Sequence, residues 1–152
     1  MSSETYQDAS GVIYKYIDGS GTATVTGYND TDISTINNIN IQSTITISNV
    51  NYNVTSIDNN AFKGYTSLTS ITIPDSVISI GDYAFYYCYS LTSITIPDSV
   101  ISIGDYVFFN CSSLTSITIP DNVARIGDYA FFTCSSLTSI TIPDSVISIG
   151  DY

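Results

Sequence analysis

A repeat of 23 residues constrains the fold of this chain more than any other feature of its sequence. Residues 91–113 match residues 68–90 at 19 of 23 positions, and residues 114–136 match residues 91–113 at 18 of 23. Residues 137–152 repeat residues 91–106 without a change. Self-similarity at a fixed period of this length is typical of solenoids and other repeat arrays. At 152 residues, we therefore expect one stack of equivalent units.

Each unit carries the leucine-rich spacing L-x-x-L-x-L. Leu68, Ile71 and Ile73 show it in the first full unit, and the spacing puts both isoleucines on one face of a short strand. The Pro-Asp and Gly-Asp pairs that follow are turn signals. The Ala-Phe-x-x-Cys segment, residues 84–88, indicates one helical or 3-10 turn packed against the strand. The unit therefore predicts a mainly β solenoid with short helical or 3-10 turns.

Stacking is needed for stability, because one unit buries too little by itself. About eight side chains per unit point inward, worth ~2 kcal/mol each when buried, against roughly 1.5 kcal/mol of ordering entropy for every residue. Stacked units bury one another's apolar faces and pair strand to strand. Differences between units support this assignment, because Ile101 and Ser102 become Ala124 and Arg125 at positions expected to face solvent.

The chain is expected to form an N-terminal β-hairpin cap over residues 1–44 and a leucine-rich repeat solenoid over residues 45–152. The units of the solenoid are a degenerate first unit over 45–67, full units over 68–90, 91–113 and 114–136, and a partial unit over 137–152. In the degenerate unit, Ile45 and Ile47 are expected to hold the strand position. A terminal unit that departs from the consensus is typical of an end cap.

Two segments that alternate apolar and polar residues predict the hairpin itself. They run from Val12 to Ile17 and from Thr22 to Tyr28, and they flank the turn residues Asp18-Gly19-Ser20-Gly21. We expect the hairpin to cover the first apolar face of the stack.

The charge of the chain excludes several classes of partner. Three basic residues face fourteen acidic ones, for a formal net charge of −11. A nucleic-acid backbone or an anionic lipid surface would be repelled, so no nucleic-acid partner is expected. No membrane insertion is expected either, because polar residues interrupt every apolar run well before the length that a membrane span requires.

The residue types present also argue against catalysis. The chain has no histidine, which rules out Ser-His and Cys-His nucleophile pairs and histidine-ligated metals. Every polar feature recurs with the repeat, whereas an active site needs a locally unique arrangement. We therefore expect no catalytic residues, no cofactor and no enzyme.

Cysteines and aspartates recur in columns that have two interpretations each. Cys88, Cys111 and Cys134 stand one repeat apart, so neighbours could form a disulfide, although a ladder of small buried hydrophobes is favoured. Two columns of aspartates could share a cation, although their role in turns already explains them, and no metal site is predicted. The columns are Asp75, Asp98, Asp121 and Asp144, and Asp82, Asp105, Asp128 and Asp151.

The exposed side of the predicted strands is the best candidate for a binding surface. Its hydroxyl rows consist of Ser70, Thr72, Ser93, Thr95, Ser116, Thr118, Ser139 and Thr141. Repeat solenoids bind partners over such broad concave faces. The alternatives are solvated β-forming residues without a ligand, or a flat ice-binding grid. A second possible contact surface is the tyrosine-rich turn side, with Tyr83, Tyr86, Tyr87, Tyr89, Tyr106, Tyr129 and Tyr152.

The repeat resembles a known family. The segment LTSITIPDSVISIGDYAF, residues 68–85, looks like the BspA-type leucine-rich repeat of microbial cell-surface proteins, and the resemblance covers residues 45–152. The segment GVIYKYIDGSGTATVTGY, residues 11–28, resembles the hairpin that often precedes such arrays. The resemblance implies a curved, right-handed solenoid without catalytic residues, located outside the cell or on its surface. One departure is serine at positions 76, 99 and 145, where many leucine-rich repeats have asparagine and only Asn122 conforms.

The expected function is therefore a non-catalytic module for adhesion to a host, matrix or other cell-surface protein. The alternative is a structural spacer or self-associating solenoid with no ligand of its own. The sequence stops at Gly150-Asp151-Tyr152, within a unit, which predicts a longer parent array or an end-to-end homo-oligomer. Its first residues lack the layout of a secretory signal.

Overall fold

The structure is a computed structural model that describes residues 2–29 and 32–151. Over those residues the chain is mostly β, with short strands, turns and a 3-10 turn at Ile33–Thr35. The strands are, in chain order, β1 Ser3–Gln7, β2 Val12–Ile17, β3 Thr22–Tyr28, β4 Asn38–Asn40, β5 Thr44–Ile47, β6 Val50–Ile57, β7 Ser70–Thr72, β8 Ser79–Ile80, β9 Ser93–Thr95, β10 Ser102–Ile103, β11 Ser116–Thr118, β12 Arg125–Ile126 and β13 Ser148–Ile149.

The predicted hairpin is present and belongs to a larger sheet. β2 and β3 pair antiparallel, with Val12 opposite Tyr28. β3 then pairs in parallel with β6, and the nine-stranded sheet has the order β1-β2-β3-β6-β8-β10-β12-β13 with β5 attached to β6. Val12, Tyr14 and Val25 are fully buried in a core shared with the repeats. The hairpin therefore extends the sheet that the repeats build.

Each full unit contributes strands to two layers, where the sequence pattern predicted one. The Ser-Ile-Thr strands β7, β9 and β11 follow one another along one layer, and β9 pairs in parallel with β11. The two-residue strands β8, β10 and β12 pair in parallel within the nine-stranded sheet. Ile94 from the first layer and Ile103 from the second are both buried. The core lies between these two layers, with the turn segments closing one side.

Unlike Ile149 of the partial unit, which is 60% exposed, the side chains predicted to face inward in the full units are mostly buried. They form a leucine column of Leu68, Leu91 and Leu114, a phenylalanine column of Phe62, Phe85 and Phe108, and a cysteine column of Cys88, Cys111 and Cys134. The rings of Phe85 and Phe108 stack with their centroids 5.5 Å apart and their planes at 2°. Successive units are thus in direct contact, and the prediction that each unit supplies the interior of its neighbours is confirmed.

The strand assigned to the first unit was wrong. β4 holds that position, because Ile39 lies opposite Ile71 in a parallel pair and Ile41 donates its N–H to the Thr72 carbonyl at 3.1 Å. Ile45 and Ile47 instead lie in β5, which forms an antiparallel hairpin with β6. The physical reason is that Asn-Ile-Asn-Ile carries the same polar-apolar alternation as Ser-Ile-Thr-Ile, which leaves the second isoleucine pair to form the inserted hairpin.

Residues 84–88 form a hydrogen-bonded turn and no regular helix, because the Cys88 N–H donates to the Phe85 carbonyl at 3.2 Å. Tyr83 and Tyr87 have φ values of 59° and 62°, which interrupt any helix. The backbone instead bonds to the next unit, where the Phe85 N–H donates to the Val107 carbonyl at 3.0 Å. Ala84, Phe85 and Cys88 point inward as predicted. In the described part of the chain, no helix is long and apolar enough to cross a membrane.

The Ile-Gly-Asp turns join units through a ladder of side-chain to backbone hydrogen bonds. Asp82 Oδ1 accepts from the Asp105 N–H at 2.8 Å, and Asp105 Oδ1 accepts from the Asp128 N–H at 2.9 Å. Asn59 Oδ1 accepts from the Asp82 N–H in the same way, at 2.8 Å. A Cβ at Gly104 would lie 2.6 Å from Asp82 Oδ1, so glycine is what allows the units to approach this closely.

Serine replaces asparagine at the Pro-Asp turn without loss of the inter-unit bond. The Ser99 hydroxyl donates to the Val77 carbonyl at 2.6 Å, and the Asn122 amide donates to the Asp98 carbonyl at 2.7 Å. Both side chains therefore bond to the preceding unit, which explains why the array accepts either residue.

Candidate functional site

All eight residues predicted to bind a partner are exposed. They are Ser70, Thr72, Ser93, Thr95, Ser116, Thr118, Ser139 and Thr141. In the three strands of this layer, the isoleucine between each serine and threonine points into the core, as Ile94 does at 6% exposure. The alternation of faces predicted from the sequence is confirmed. The role of these residues in binding stays a prediction.

The structure brings these hydroxyl groups together most regularly in the second and third full units. Ser93 lies opposite Ser116 and Thr95 lies opposite Thr118 in one parallel pair, so equivalent hydroxyls are about 4.8 Å apart. Residues 139–141 are not in a strand. The rows therefore continue beyond β11 without the strand geometry that aligns them.

Two asparagines that the sequence interpretation missed extend the rows at their other end. Asn38 lies opposite Ser70, and Asn40 lies opposite Thr72. The Ser70 hydroxyl donates to the Asn38 amide oxygen. Tyr28 joins these four residues around a shallow hollow of about 250 Å³. The alternation in Asn-Ile-Asn was the signal that could have identified both residues. We call the surface made by the outward side chains of β4, β7, β9 and β11 the hydroxyl-amide face.

The hydroxyl-amide face is polar but uncharged. Its four strands contain only serine, threonine, asparagine and isoleucine. Hydroxyl groups donate and accept hydrogen bonds, and asparagine amides do the same with separate atoms. A neutral hydrogen bond contributes about 1 kcal/mol in net terms. The face can thus hold a partner through many small contacts spread over several units, as solenoid surfaces do.

The three cysteines are free thiols that pack inside the stack. Each Sγ donates to a phenylalanine carbonyl in the preceding unit, and Cys111 does so to Phe85 at 3.2 Å. Burial raises the pKa of the Cys88 thiol to about 12 and that of the Cys134 thiol to about 11, and it raises the pKa of Cys111 as well. The structure therefore favours the ladder of small buried side chains over the disulfide.

The buried thiols are expected to resist alkylation by iodoacetamide at pH 8 in the folded protein and to react once urea unfolds it. The thiolate is the nucleophile, and burial suppresses both its formation and its access. Their folded pKa values lie above the ordinary 9.0, so the associated stability is complete below about pH 9 and is lost as the pH rises through about 11–12. Mass spectrometry of the labelled chain measures the first effect, and urea unfolding against pH measures the second.

A Ser135→Cys variant supplies an exposed control thiol beside Cys134. That thiol should be labelled in the folded state while the three native ones are not. Labelling of the native cysteines at the rate of the control would contradict their burial.

The aspartate columns differ in their surroundings. The Pro-Asp column, with Asp75, Asp98, Asp121 and Asp144, is exposed. The Gly-Asp column binds the backbone of the next unit, and its member Asp105 also forms an ion pair with Arg125 at 3.0 Å. Among the described residues, no three acidic or cysteine side chains gather into a group suited to a metal ion. The contacts of the Gly-Asp column thus join neighbouring units at their turns.

The tyrosines of the turn side stack between units. Tyr83, Tyr106 and Tyr129 form a column with centroids 4.9 and 5.0 Å apart, and the Lys63 ammonium lies 5.3 Å from the Tyr83 centroid. Tyr106 lies between two rings and Tyr83 lies between a ring and this ammonium group, so stacking joins the units and covers both faces of these two rings. Tyr152 lies outside the described residues.

Comparison with known proteins gives a consistent family. A model of the BspA type leucine rich repeat region matches residues 34–152 in six copies. A leucine-rich repeat protein from Bacteroides ovatus is 38% identical with a TM-score of 0.85, over 93% of this chain and 36% of that one. The T. pallidum leucine rich repeat protein is 30% identical with a TM-score of 0.81, over 95% of this chain and 64% of that one. A search of curated proteins finds no match.

A third solved structure is a leucine rich cell surface protein from Faecalibacterium prausnitzii. It is 34% identical with a TM-score of 0.71, over 99% of this chain and 46% of that one. The chain thus spans less than two thirds of the length of each of these three relatives. Because the family model covers most of the chain and the fold agrees with these structures, the chain belongs to the BspA-type leucine-rich repeat proteins.

Proposed function

We propose that the chain is a non-catalytic adhesion module that binds a host, matrix or other cell-surface protein through the hydroxyl-amide face. Leucine-rich repeat proteins of this family are typically surface proteins and modules for protein interaction. The observation that carries the proposal is the row geometry, in which serines and threonines of successive units lie side by side on an exposed layer. A rigid array of this kind lowers the entropic cost of making many contacts at once.

The chemistry of the face supports a protein partner. Hydroxyl and amide groups match the backbone and polar side chains of another protein, and neither carries a charge that would have to be desolvated. The net charge of −11 opposes nucleic acids and anionic lipids. We place the module on the outside of a cell, by analogy with the relative from Faecalibacterium prausnitzii.

The test replaces two threonines of the hydroxyl-amide face by lysine. Thr72→Lys and Thr118→Lys belong to strands separated by β9, which limits repulsion between the new charges. The double variant is expected to lose at least tenfold in binding, about 1.4 kcal/mol, because both lysines project where the partner docks. Surface plasmon resonance against immobilised matrix glycoproteins, together with adhesion to epithelial and bacterial cells, measures the effect.

The matched control is Thr5→Lys with Thr46→Lys, which adds the same charge at exposed strand positions outside this face. Equal losses in both double variants would trace the effect to charge and not to the face. Unchanged binding in the first variant would place the partner elsewhere. Absence of any binding by the unmodified chain favours the alternative function, a spacer that holds other domains away from a surface.

A further inference from the structure

A stripe of apolar residues, three of them exposed isoleucines, runs beside the nine-stranded sheet at the positions directly before β8, β10, β12 and β13. We define the isoleucine stripe as Ile78, Ile101, Ala124 and Ile147. The Ile101 N–H donates to the Ile78 carbonyl at 3.0 Å, and the Ala124 and Ile147 N–H groups continue the same ladder at 2.9 Å each. The members are therefore direct neighbours in successive units, about 4.8 Å apart along the stack.

The stripe has no role in the core. Ile78 is 47% exposed and Ile101 is 53% exposed, although Val77 and Ile80 on either side are buried. Scattered exposed isoleucines are common in proteins, but apolar residues at the same position of four successive units form an apolar patch, and such patches mark interaction sites. A solvated position needs no isoleucine, as Ala124 shows in the third full unit.

Acidic residues precede and follow each member of the stripe in the sequence. The exposed Pro-Asp column stands three residues before it in each unit, and the half-buried Gly-Asp column stands four residues after it. Asp75 and Asp82 bracket Ile78 in this way. The chain as a whole has fourteen acidic residues and three basic ones. The surroundings of the stripe thus favour positive charge.

One cation of the chain already uses this arrangement. Arg125 follows Ala124 in β12, in register with Ser102 of β10, and its guanidinium bonds to Asp105 at 3.0 Å. The unit that supplies a cation to the Gly-Asp column is also the one with the smallest apolar member of the stripe. A guanidinium that binds a carboxylate of the Gly-Asp column is therefore accommodated at the residue that follows the stripe.

We propose that the isoleucine stripe and its flanking aspartates bind a basic amphipathic segment of a partner protein. Apolar side chains of the segment pack on Ile78 and Ile101, and its lysines or arginines reach the aspartate columns on either side. A second copy of this chain does not fit, because it would bring a charge of −11 against the same sign. This proposal concerns a different surface from the hydroxyl-amide face. The two proposals are therefore tested independently, and either can be wrong while the other holds.

The test uses the 152-residue chain and two labelled synthetic peptides of equal charge. One alternates leucine with lysine, the other alternates serine with lysine, and fluorescence anisotropy measures their binding. The leucine peptide is expected to bind at least tenfold more tightly, because only it can bury apolar surface on the stripe. Equal binding of the two peptides would overturn the proposal, since it would show attraction by net charge alone.

Loss and gain variants locate the site. Ile78→Thr with Ile101→Thr should weaken binding of the leucine peptide about tenfold and leave the serine peptide unchanged. Ile17→Thr with Val50→Thr is the control, because these residues are 40% and 44% exposed but lie in the hairpins. A loss in the control equal to that in the stripe variant would overturn the proposal.

The gain variant is Ala124→Ile with Arg125→Ser, which restores the residues of the preceding unit and so preserves the fold. It completes the stripe and removes the ion pair of Asp105 with Arg125, and we expect the leucine peptide to bind roughly fivefold more tightly. Sedimentation velocity tests whether a second copy of this chain occupies the stripe instead. Self-association that Ile78→Thr with Ile101→Thr abolishes would assign the stripe to a second copy and overturn the proposal.

Discussion

Replacing Phe108 by alanine is expected to lower the free energy of unfolding by about 4 kcal/mol. The ring is fully buried and stacks between Phe85 and Phe131, with centroids 5.5 Å away on either side. Backbone hydrogen bonds on the turn side hold the units at their spacing, such as that from the Phe108 N–H to the Ala130 carbonyl at 2.8 Å. The neighbours therefore cannot close the cavity, and the alanine variant loses contacts in two interfaces at once.

The adjacent ring is the matched control for this prediction. Phe109 is half-buried and stacks with Phe132 at 5.3 Å on the outside of the turn segment. Phe109→Ala should cost about 1 kcal/mol, since its surroundings are open to water and relax more easily. Urea unfolding followed by far-UV circular dichroism gives both values. Equal costs for the two variants would contradict the assignment of the Phe108 column to the core.

Replacing Gly127 by alanine is expected to cost about 3 kcal/mol. The added Cβ would lie 2.3 Å from Asp105 Oδ1, 2.5 Å from the Gly104 carbonyl carbon and 2.6 Å from the Asp105 nitrogen. Two of these three atoms belong to the backbone of the preceding unit and cannot rotate away. The methyl group therefore forces the units apart at the turn and strains the ladder in which Asp105 holds the Asp128 N–H.

Gly64→Ala separates this steric effect from the ordinary cost of losing a glycine. Gly64 has a φ of 79° with nothing within 4 Å of an added Cβ. Alanine there should lower the free energy of unfolding by about 1 kcal/mol, which is the cost of the left-handed backbone alone. The difference between the two variants measures the clash. If Gly127→Ala cost no more than Gly64→Ala in urea unfolding, close approach at this turn would not explain the glycine.

The faces of each unit could be predicted from the sequence because their pattern is local. Alternation in Ser-Ile-Thr places Ile94 inside and Thr95 outside, and the same segment in the other full units repeats this burial. The hairpin at Val12 to Tyr28 was predictable for the same reason, since its turn residues and flanking alternation are contiguous.

The choice of strand in the first unit required long-range information. Ile39 and Ile45 both sit in short alternating segments, and only pairing with Ile71 distinguishes them. The signal for the inserted hairpin was the Ser48-Asn49 pair, whose φ values of 50° and 64° suit a two-residue turn. Because β4 pairs with β7, the side-chain amides of Asn38 and Asn40 belong to the hydroxyl-amide face.

The sequence alone determined the repeat, the inward and outward positions and the acidic character, because each depends only on the residues of a unit and their order. The tertiary structure decided how backbones of different units bond, and so where each turn could lie. Tyr83 shows the difference, because the hydrogen bond from its N–H to the Asp105 carbonyl at 2.8 Å joins two units. A hydrogen bond between residues far apart in the chain leaves no local pattern, and it forms only once the units are stacked.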